Sequence, residues 1–252
     1  MIAIKEFQGR FGNRILHYNN MVQIAKSYNM DWNSIPYKDF DFLNIKNNYI
    51  LNDNYKEITS KDILNEISLD NKNYFLKPCL GDLFFHFNYN TREIFTVKED
   101  ILDKDNFNIA INFRGSDFHQ WNPESILSLE YYINSIESVH KDNNKYYLFT
   151  DDINLNSYKD LIKWLNFKKY KYSFGIATFN EYHFIEDFYA MADCDLIISS
   201  PSTFAICAGF MGKDKEIIHS EKWVNSRVNK NDLFWLKIKE GGNNNYKVKT
   251  LI

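Results

Sequence analysis

Short runs rich in β-branched and aromatic residues alternate, through the second half of this 252-residue chain, with helical patterns of about ten residues or more. That alternation, a length sufficient for two hydrophobic cores and a polar stretch near residue 100 predict an α/β protein of two lobes, the second a doubly wound, Rossmann-like sheet.

In the first half, Ile2–Phe7 reads as a strand, followed by a glycine-containing turn and a helix over Asn13–Tyr28 that carries Ile15, Leu16, Val22 and Ile24. Residues 31 to 60, crowded with Asn, Asp and Tyr, show no period on which to place an element. Lys61–Ile67 reads as a helix and Tyr74–Leu76 as a strand, and Lys98–Asn106 is the linker candidate. The second half predicts strands at Asn108–Phe113, Lys145–Thr150, Tyr170–Phe174, Asp195–Ser199 and Glu216–His219. Helices are predicted between them at Ser125–Val139, Leu155–Asn166, Tyr182–Ala192 and Thr203–Met211. Ile126, Leu129, Ile133 and Ile136 recur at spacings of three and four, which predicts one buried face for the first of these. Gly241–Asn245 reads as a turn or frayed loop.

Composition excludes several classes. With 44% apolar, 17% aromatic and 25% charged residues the chain is of ordinary globular type, and its net charge of -3 gives no bulk positive field for a nucleic-acid backbone. Cys79, Cys194 and Cys207 lack the close spacing of a zinc or redox motif and are expected as reduced core thiols. The opening MIAIKEFQGR is too short and charged for a signal peptide, and no run of 18 apolar residues occurs, so a soluble, cytoplasmic protein without a transmembrane segment is expected.

Four segments combine residue types suited to ligand chemistry. Gly9-Arg-Phe-Gly12-Asn13-Arg14 follows a strand and opens a helix, where glycines admit a ligand to the backbone and helix N–H groups favour an anion. A tight turn that binds nothing is the preferred reading. Ile109-Ala-Ile-Asn-Phe-Arg114-Gly-Ser-Asp117 is a strand running into a polar knot at the edge where open α/β sheets bind ligands. Arg114 there offers a planar fork suited to a diphosphate, or pairs with Asp117 to hold a turn. Thr150-Asp151-Asp152 ends another strand. It lacks the ligand pattern of a calcium loop, and a helix N-cap is the preferred reading. Asp195 through Gly209 reads as strand, hydroxyl-rich turn and small-residue helix, in which Ser202 and Thr203 either receive phosphate oxygens or simply cap.

Taken in order, these segments resemble the α-1,2-fucosyltransferase family, sugar-nucleotide enzymes of the GT-B type. Gly9-Arg-Phe-Gly12-Asn13-Arg14 stands where the family has Gly-Gly-Leu-Gly-Asn-Gln, and Asn112-Phe-Arg114-Gly-Ser-Asp117-Phe118 matches part of His-x-Arg-Arg-Gly-Asp-Tyr. Ser128-Leu-Glu-Tyr-Tyr132 is similar to the family's Ser-Leu-x-Tyr-Tyr, Phe149-Thr-Asp-Asp152 to Phe-Ser-Asp-Asp, and Asp187-Phe-Tyr-Ala-Met191 through Ser202-Thr203-Phe204 to Asp-Leu-x-x-Met and Asn-Ser-Thr-Phe. The resemblance covers residues 9 to 20 and about 109 to 212. Asn112 replaces the family's histidine, Gly115 its second arginine, and Ile206 and Cys207 an aromatic pair.

The resemblance implies a GT-B-like α/β fold of two Rossmann-like lobes. Residues 1–105 would form the N-terminal acceptor-side lobe and residues 106–252 the C-terminal lobe that binds the nucleotide-sugar. It implies transfer of a sugar, L-fucose from GDP-fucose, to a glycan hydroxyl with inversion, with neither metal nor other cofactor. Gly9, Gly12, Asn13, Asn112, Ser202, Thr203 and Phe204 would bind the donor, and Arg114 the β-phosphate. The carboxylate that takes the acceptor proton would be Asp117 or, second, Glu124. Two rivals remain: a catalytically inactive relative that binds a nucleotide sugar or glycan, and a dinucleotide-dependent oxidoreductase, against which the lack of G-x-G-x-x-G after any strand counts.

Overall fold

In the computed structural model of the protein, the residues described are 1–37, 45, 54–59, 62, 69–70, 72–77, 95, 101–121, 123–175, 184–212, 215–220 and 246–251. The chain divides into two compact units, with described residues through Phe95 in the first and those from Ile101 onward in the second.

The first unit is built on a parallel sheet of β1 (Ile2–Ile4), β2 (Trp32–Ser34), β3 (Lys56–Ile58) and β4 (Tyr74–Leu76), in the order β2-β1-β4-β3. Strand β1 is wholly buried and is followed by α1 (Phe11–Ser27), whose Ile15, Leu16, Met21, Val22 and Ile24 are core residues. The same helix buries His17, Asn19, Asn20 and Gln23. The predicted strand Ile2–Phe7 is thus three residues long, and β2 and β3 lie in the stretch where no period is legible, because three-residue strands are too short to show one. The helix predicted at Lys61–Ile67 lies, apart from Asp62, outside the described residues, as do Cys79 and Gly241–Asn245.

The second unit carries the architecture that the alternation predicts. Its strands are β5 (Phe107–Phe113), β6 (Asn144–Thr150), β7 (Lys171–Phe174), β8 (Leu196–Ser199), β9 (Lys215–Ser220) and β10 (Tyr246–Leu251), all parallel, in the order β10-β9-β8-β5-β6-β7. Numbered from the first strand of the unit this is the 3-2-1-4-5-6 order of a doubly wound nucleotide-binding sheet, with its reversal between β5 and β8. Central β5 and β8 are nearly continuous apolar runs because both faces are covered, while β7 is largely exposed at the sheet edge. The helices are α2 (Phe118–Trp121), α3 (Leu129–Glu137), α4 (Asn156–Lys168), α5 (Phe184–Asp193) and α6 (Thr203–Met211). On one face Ile109, Ile111 and Phe113 of β5 pack with Tyr132 and Ile136 of α3 and Tyr158, Leu161 and Leu165 of α4.

Several expectations are corrected in detail. Helix α3 begins at Leu129, after Ser128, because Pro123–Ser125 winds into a separate 3-10 turn. Its fully buried apolar residues are Tyr132 and Ile136, with Ile126, Leu129 and Ile133 only partly covered. Strand β10 was not anticipated, although Tyr246, Val248 and Thr250 alternate with lysines and Leu251. Of the linker candidate, Ile101 and Leu102 donate their amides to Asp193 at 2.7 and 2.9 Å, so the backbone there is irregular yet anchored. Cys194 and Cys207 are buried free thiols. Among the described residues no helix is long and apolar enough to cross a membrane.

His219, on β9 in register with Ser199, is completely buried, and burial lowers its imidazole from 6.5 to about 4. The folded ring is therefore neutral where an unfolded one takes up a proton, so stability falls as pH drops from 6.5 toward 4 and this contribution levels off below. The loss amounts to roughly 2–4 kcal/mol. His219→Gln is expected to flatten the pH dependence of urea unfolding across that window; an unchanged slope would contradict it.

Candidate functional site

Three of the four segments suited to ligand chemistry meet at the C-terminal edge of the second sheet. Pairing of Phe113 with Thr150, and of Asn112 with both Phe149 and Ser199, brings the exits of β5, β6 and β8 level. Arg114, Asp151 and Ser200 are the first residues beyond those exits, at the reversal of strand order where open α/β sheets bind ligands.

Arg114 is fixed between two carboxylates. Its Nη1 donates to Asp151 Oδ2 in a short contact, its Nη2 donates to Asp117 Oδ1 at 2.6 Å, and its guanidinium lies 5.0 Å from the centre of the Phe118 ring. Asp151 gathers more of the loop, accepting the Gly115 N–H at 2.8 Å and the Ser116 hydroxyl at 2.7 Å. The turn reading of Arg114 with Asp117 is thus realised, with Asp151 as its larger part. Gly115 has no room for a side chain. A Cβ there would lie 2.8 Å from Cγ and Cδ1 of Leu155 and 2.9 Å from Cβ of Asp152, so an arginine could not occupy the position without moving both.

Asp152 is not the cap of α4, whose N-cap is Leu155 without a side-chain bond. Its Oδ1 accepts the Asn154 N–H at 2.9 Å, an Asx turn ahead of the helix, and its Oδ2 lies 3.0 Å from His119 Nε2. Asp151, the other cap candidate, is the anchor just described.

Across the reversal β5 is tied to the β8 exit through buried Asn112, whose Oδ1 accepts the Ser200 hydroxyl at 2.7 Å and whose carbonyl accepts the Ser200 N–H at 3.1 Å. Below the strand ends stands the tyrosine pair of α3. Tyr131 donates to the Ser199 carbonyl at 2.9 Å, and Tyr132 donates to the Asn112 carbonyl at 3.4 Å while packing on Phe113 at 4.2 Å. Burial raises both phenols, so they remain donors at neutral pH. Ser202 is the N-cap of α6 but makes no side-chain cap bond, Thr203 begins the helix, and Phe204 packs edge-on against Phe188 at 5.1 Å.

Of the sequence candidates, the structure brings Arg114 and Asp117 together, with Asn112 on the same strand β5 and Ser202, Thr203 and Phe204 at the start of α6 beyond the adjacent β8. Glu124 is exposed in the 3-10 turn and joins none of these bonds. Gly9, Gly12 and Asn13 belong to the first unit. There Gly9 has φ +73°, a left-handed turn closed by Arg14 Nε donating to the Gly9 carbonyl at 2.8 Å, and Gly12 is buried in the first turn of α1. Ser116, His119, Asp151 and Asp152 are the residues that sequence reasoning left without a role in the site. An acidic pair ending the strand next to an arginine-ended one was the available signal, since consecutive strands of βαβ units commonly pair.

Asp151→Ala should cost roughly 2–4 kcal/mol, because it removes one of the two carboxylates on a largely buried guanidinium together with the acceptor of the Gly115 N–H and the Ser116 hydroxyl. Asp117→Ala should cost under about 1 kcal/mol, since that carboxylate is 42% exposed. Gly115→Ala should cost roughly 1–3 kcal/mol through overpacking against Leu155 and Asp152. Urea unfolding measures all three, and equal effects of the two aspartates would remove Asp151 as the anchor.

No family model and no curated protein sequence matches the chain. Among solved structures it is similar to a crystal structure of the NodZ alpha-1,6-fucosyltransferase soaked with GDP-fucose, at 13% sequence identity and a TM-score of 0.48, over 87% of this chain and 94% of that one.

Proposed function

We propose that the protein is a glycosyltransferase of the GT-B type, fucosyltransferase-like, that moves L-fucose from GDP-fucose to a glycan hydroxyl with inversion, using neither a divalent ion nor another cofactor. Residues 106–252 form the nucleotide-sugar lobe and residues 1–105 the acceptor-side lobe. What carries the reading is the position of Arg114 and the α6 N-terminus on the two sides of the strand-order reversal, where a doubly wound sheet receives nucleotide phosphates.

As the bond from the anomeric carbon to the β-phosphate breaks, negative charge grows on the leaving diphosphate. Arg114 and the first N–H groups of α6, at Ser202 and Thr203, are preorganised donors for that charge. Asp117 and Asp151 hold the plane of the guanidinium, so Asp117 acts as a positioning residue. Asn112 ties β5 to the loop that leads into α6 through Ser200.

A second reading, a nucleotide-sugar or glycan binder without turnover, is favoured by one observation: the packing at Gly115 excludes the second arginine of the motif. Release of GDP from GDP-fucose separates the two, since an enzyme slowly hydrolyses its donor and a binder does not.

In thermal-shift measurements with EDTA present, GDP is expected to raise the melting temperature more than UDP or ADP, by the equivalent of roughly 2.7 kcal/mol at a hundred times its Kd. Arg114→Ala, compared with its own ligand-free melting point, should weaken GDP by roughly 1.5–3 kcal/mol, and Arg114→Lys should recover little because an ammonium lacks the fork. Equal shifts from the three nucleotides, a strict magnesium requirement, or undiminished GDP binding by the alanine variant would defeat the proposal.

A further inference from the structure

We infer that His119, held by Asp152, is the general base that takes the proton from the attacking hydroxyl. The inference rests on the glycosyl-transfer reading and gives to His119 the role for which Asp117 and Glu124 were the candidates in the sequence. Asp117 already accepts from Arg114 at 2.6 Å, and Glu124 is held by none of the described residues.

His119 sits in the first turn of α2, which starts immediately after the Arg114 loop. Phe118 N–H donates to the Gly115 carbonyl at 2.7 Å and Gln120 N–H to the Asp117 carbonyl at 3.1 Å, so the turn is tied directly to that loop. Its Nε2 lies 3.0 Å from Asp152 Oδ2, and Nε2–H donating to the carboxylate leaves the Nδ1 lone pair as the acceptor. The side chain of His119 is 53% exposed and that of Asp152 only 17%, so the ring is open to substrate while its partner is fixed. Asp152 is fixed on every side: its Oδ1 accepts from Asn154, its N–H donates to the Thr150 hydroxyl at 3.0 Å, and its carbonyl accepts from Leu155 at 3.3 Å.

The decisive feature is adjacency. The arginine of the phosphate site hangs on Asp151 and the imidazole hangs on Asp152, consecutive residues whose Cα atoms are about 3.8 Å apart. One strand end therefore positions both a group for the leaving diphosphate and a group for the incoming hydroxyl. In the step itself, Nδ1 takes the hydroxyl proton, the oxygen's electron pair forms the bond to the anomeric carbon, and the bond from that carbon to the β-phosphate oxygen breaks with its electron pair leaving on the diphosphate. The resulting imidazolium keeps Nε2–H on Asp152 and returns its proton to solvent.

The test follows GDP release from GDP-fucose with water as the acceptor, alongside GDP thermal shifts on the same proteins. His119→Ala should lower the release rate roughly 10²–10⁴-fold, with the GDP shift unchanged. Added imidazole should restore part of that rate, as it cannot for a merely structural residue. Asp152→Asn, a positioning variant, should lower the rate at least about 10²-fold by presenting the wrong tautomer, and imidazole should not restore it. GDP release by His119→Ala within a few-fold of wild type, or a lowered rate that imidazole leaves unchanged, overturns the inference alone. Absence of release and of a GDP shift in the wild-type protein overturns the glycosyl-transfer reading together with it.

Discussion

The carboxylate of Asp151 holds the working edge of the second sheet together. A parallel sheet leaves its strand exits as a row of separate loops, each needing its own tether, and here one side chain from β6 receives the guanidinium, an amide and a hydroxyl from three successive residues beyond β5. The loop is drawn so close that a Cβ at residue 115 would force Leu155 and Asp152 to shift. That close approach also sets Gly115 against Cβ of Asp152, the partner of His119. The direction in which Arg114 points, the smallness of Gly115 and the placement of the imidazole are consequences of a single ionic tether, largely withdrawn from water and therefore stronger than a surface pair.

A second set of bonds supports the same edge from within the sheet layer. Tyr131 and Tyr132, neighbours in α3, donate to carbonyls at the ends of β8 and β5, and Asn112 and Ser200 stitch those two strands together through side chain and backbone. These residues lie in segments that, read as motifs, suggest chemistry. Their burial gives them a different task, which is to hold the strand ends at the reversal level with one another. A ligand arriving at that crevice meets a backbone already satisfied and positioned, the preorganisation that electrostatic catalysis requires.

Most of the second sheet was legible because its strands and helices are long enough to display their periods: β5 and β8 as nearly continuous apolar runs, α4 and α6 within two residues of expectation. β2 and β3, three residues each, carry no period, and the start of α3 was missed because Pro123 and Ser128 break into two turns what side-chain spacing alone presents as one helix. Arg114 was found as a strand-end cation. Its pairing with Asp117 was legible as a local turn; that with Asp151 was not, because the pairing of Phe113 with Thr150 that brings Asp151 alongside is a property of register, and an Asp-Asp pair before a helix is locally indistinguishable from a cap. His119 carried no local signal at all, since its meaning comes entirely from a residue 33 positions away.

Charge balance divides the edge into two territories. Arg114, Asp117 and Asp151 together carry one net negative charge, and Asp152 adds another on the same side, so the β6 exit repels a diphosphate even though it holds the arginine. Across the reversal, the β8 exit presents no carboxylate in the Ser199–Thr203 turn and ends in the positive pole of α6. On the proposed reading the phosphates therefore belong between Arg114 and the start of α6, and the acidic β6 side is left to the uncharged hydroxyl and the imidazole that accepts its proton. A fully basic pocket would bind the nucleotide more tightly but would hold product as firmly as donor, whereas donors that oppose charge only as it develops raise the rate of transfer.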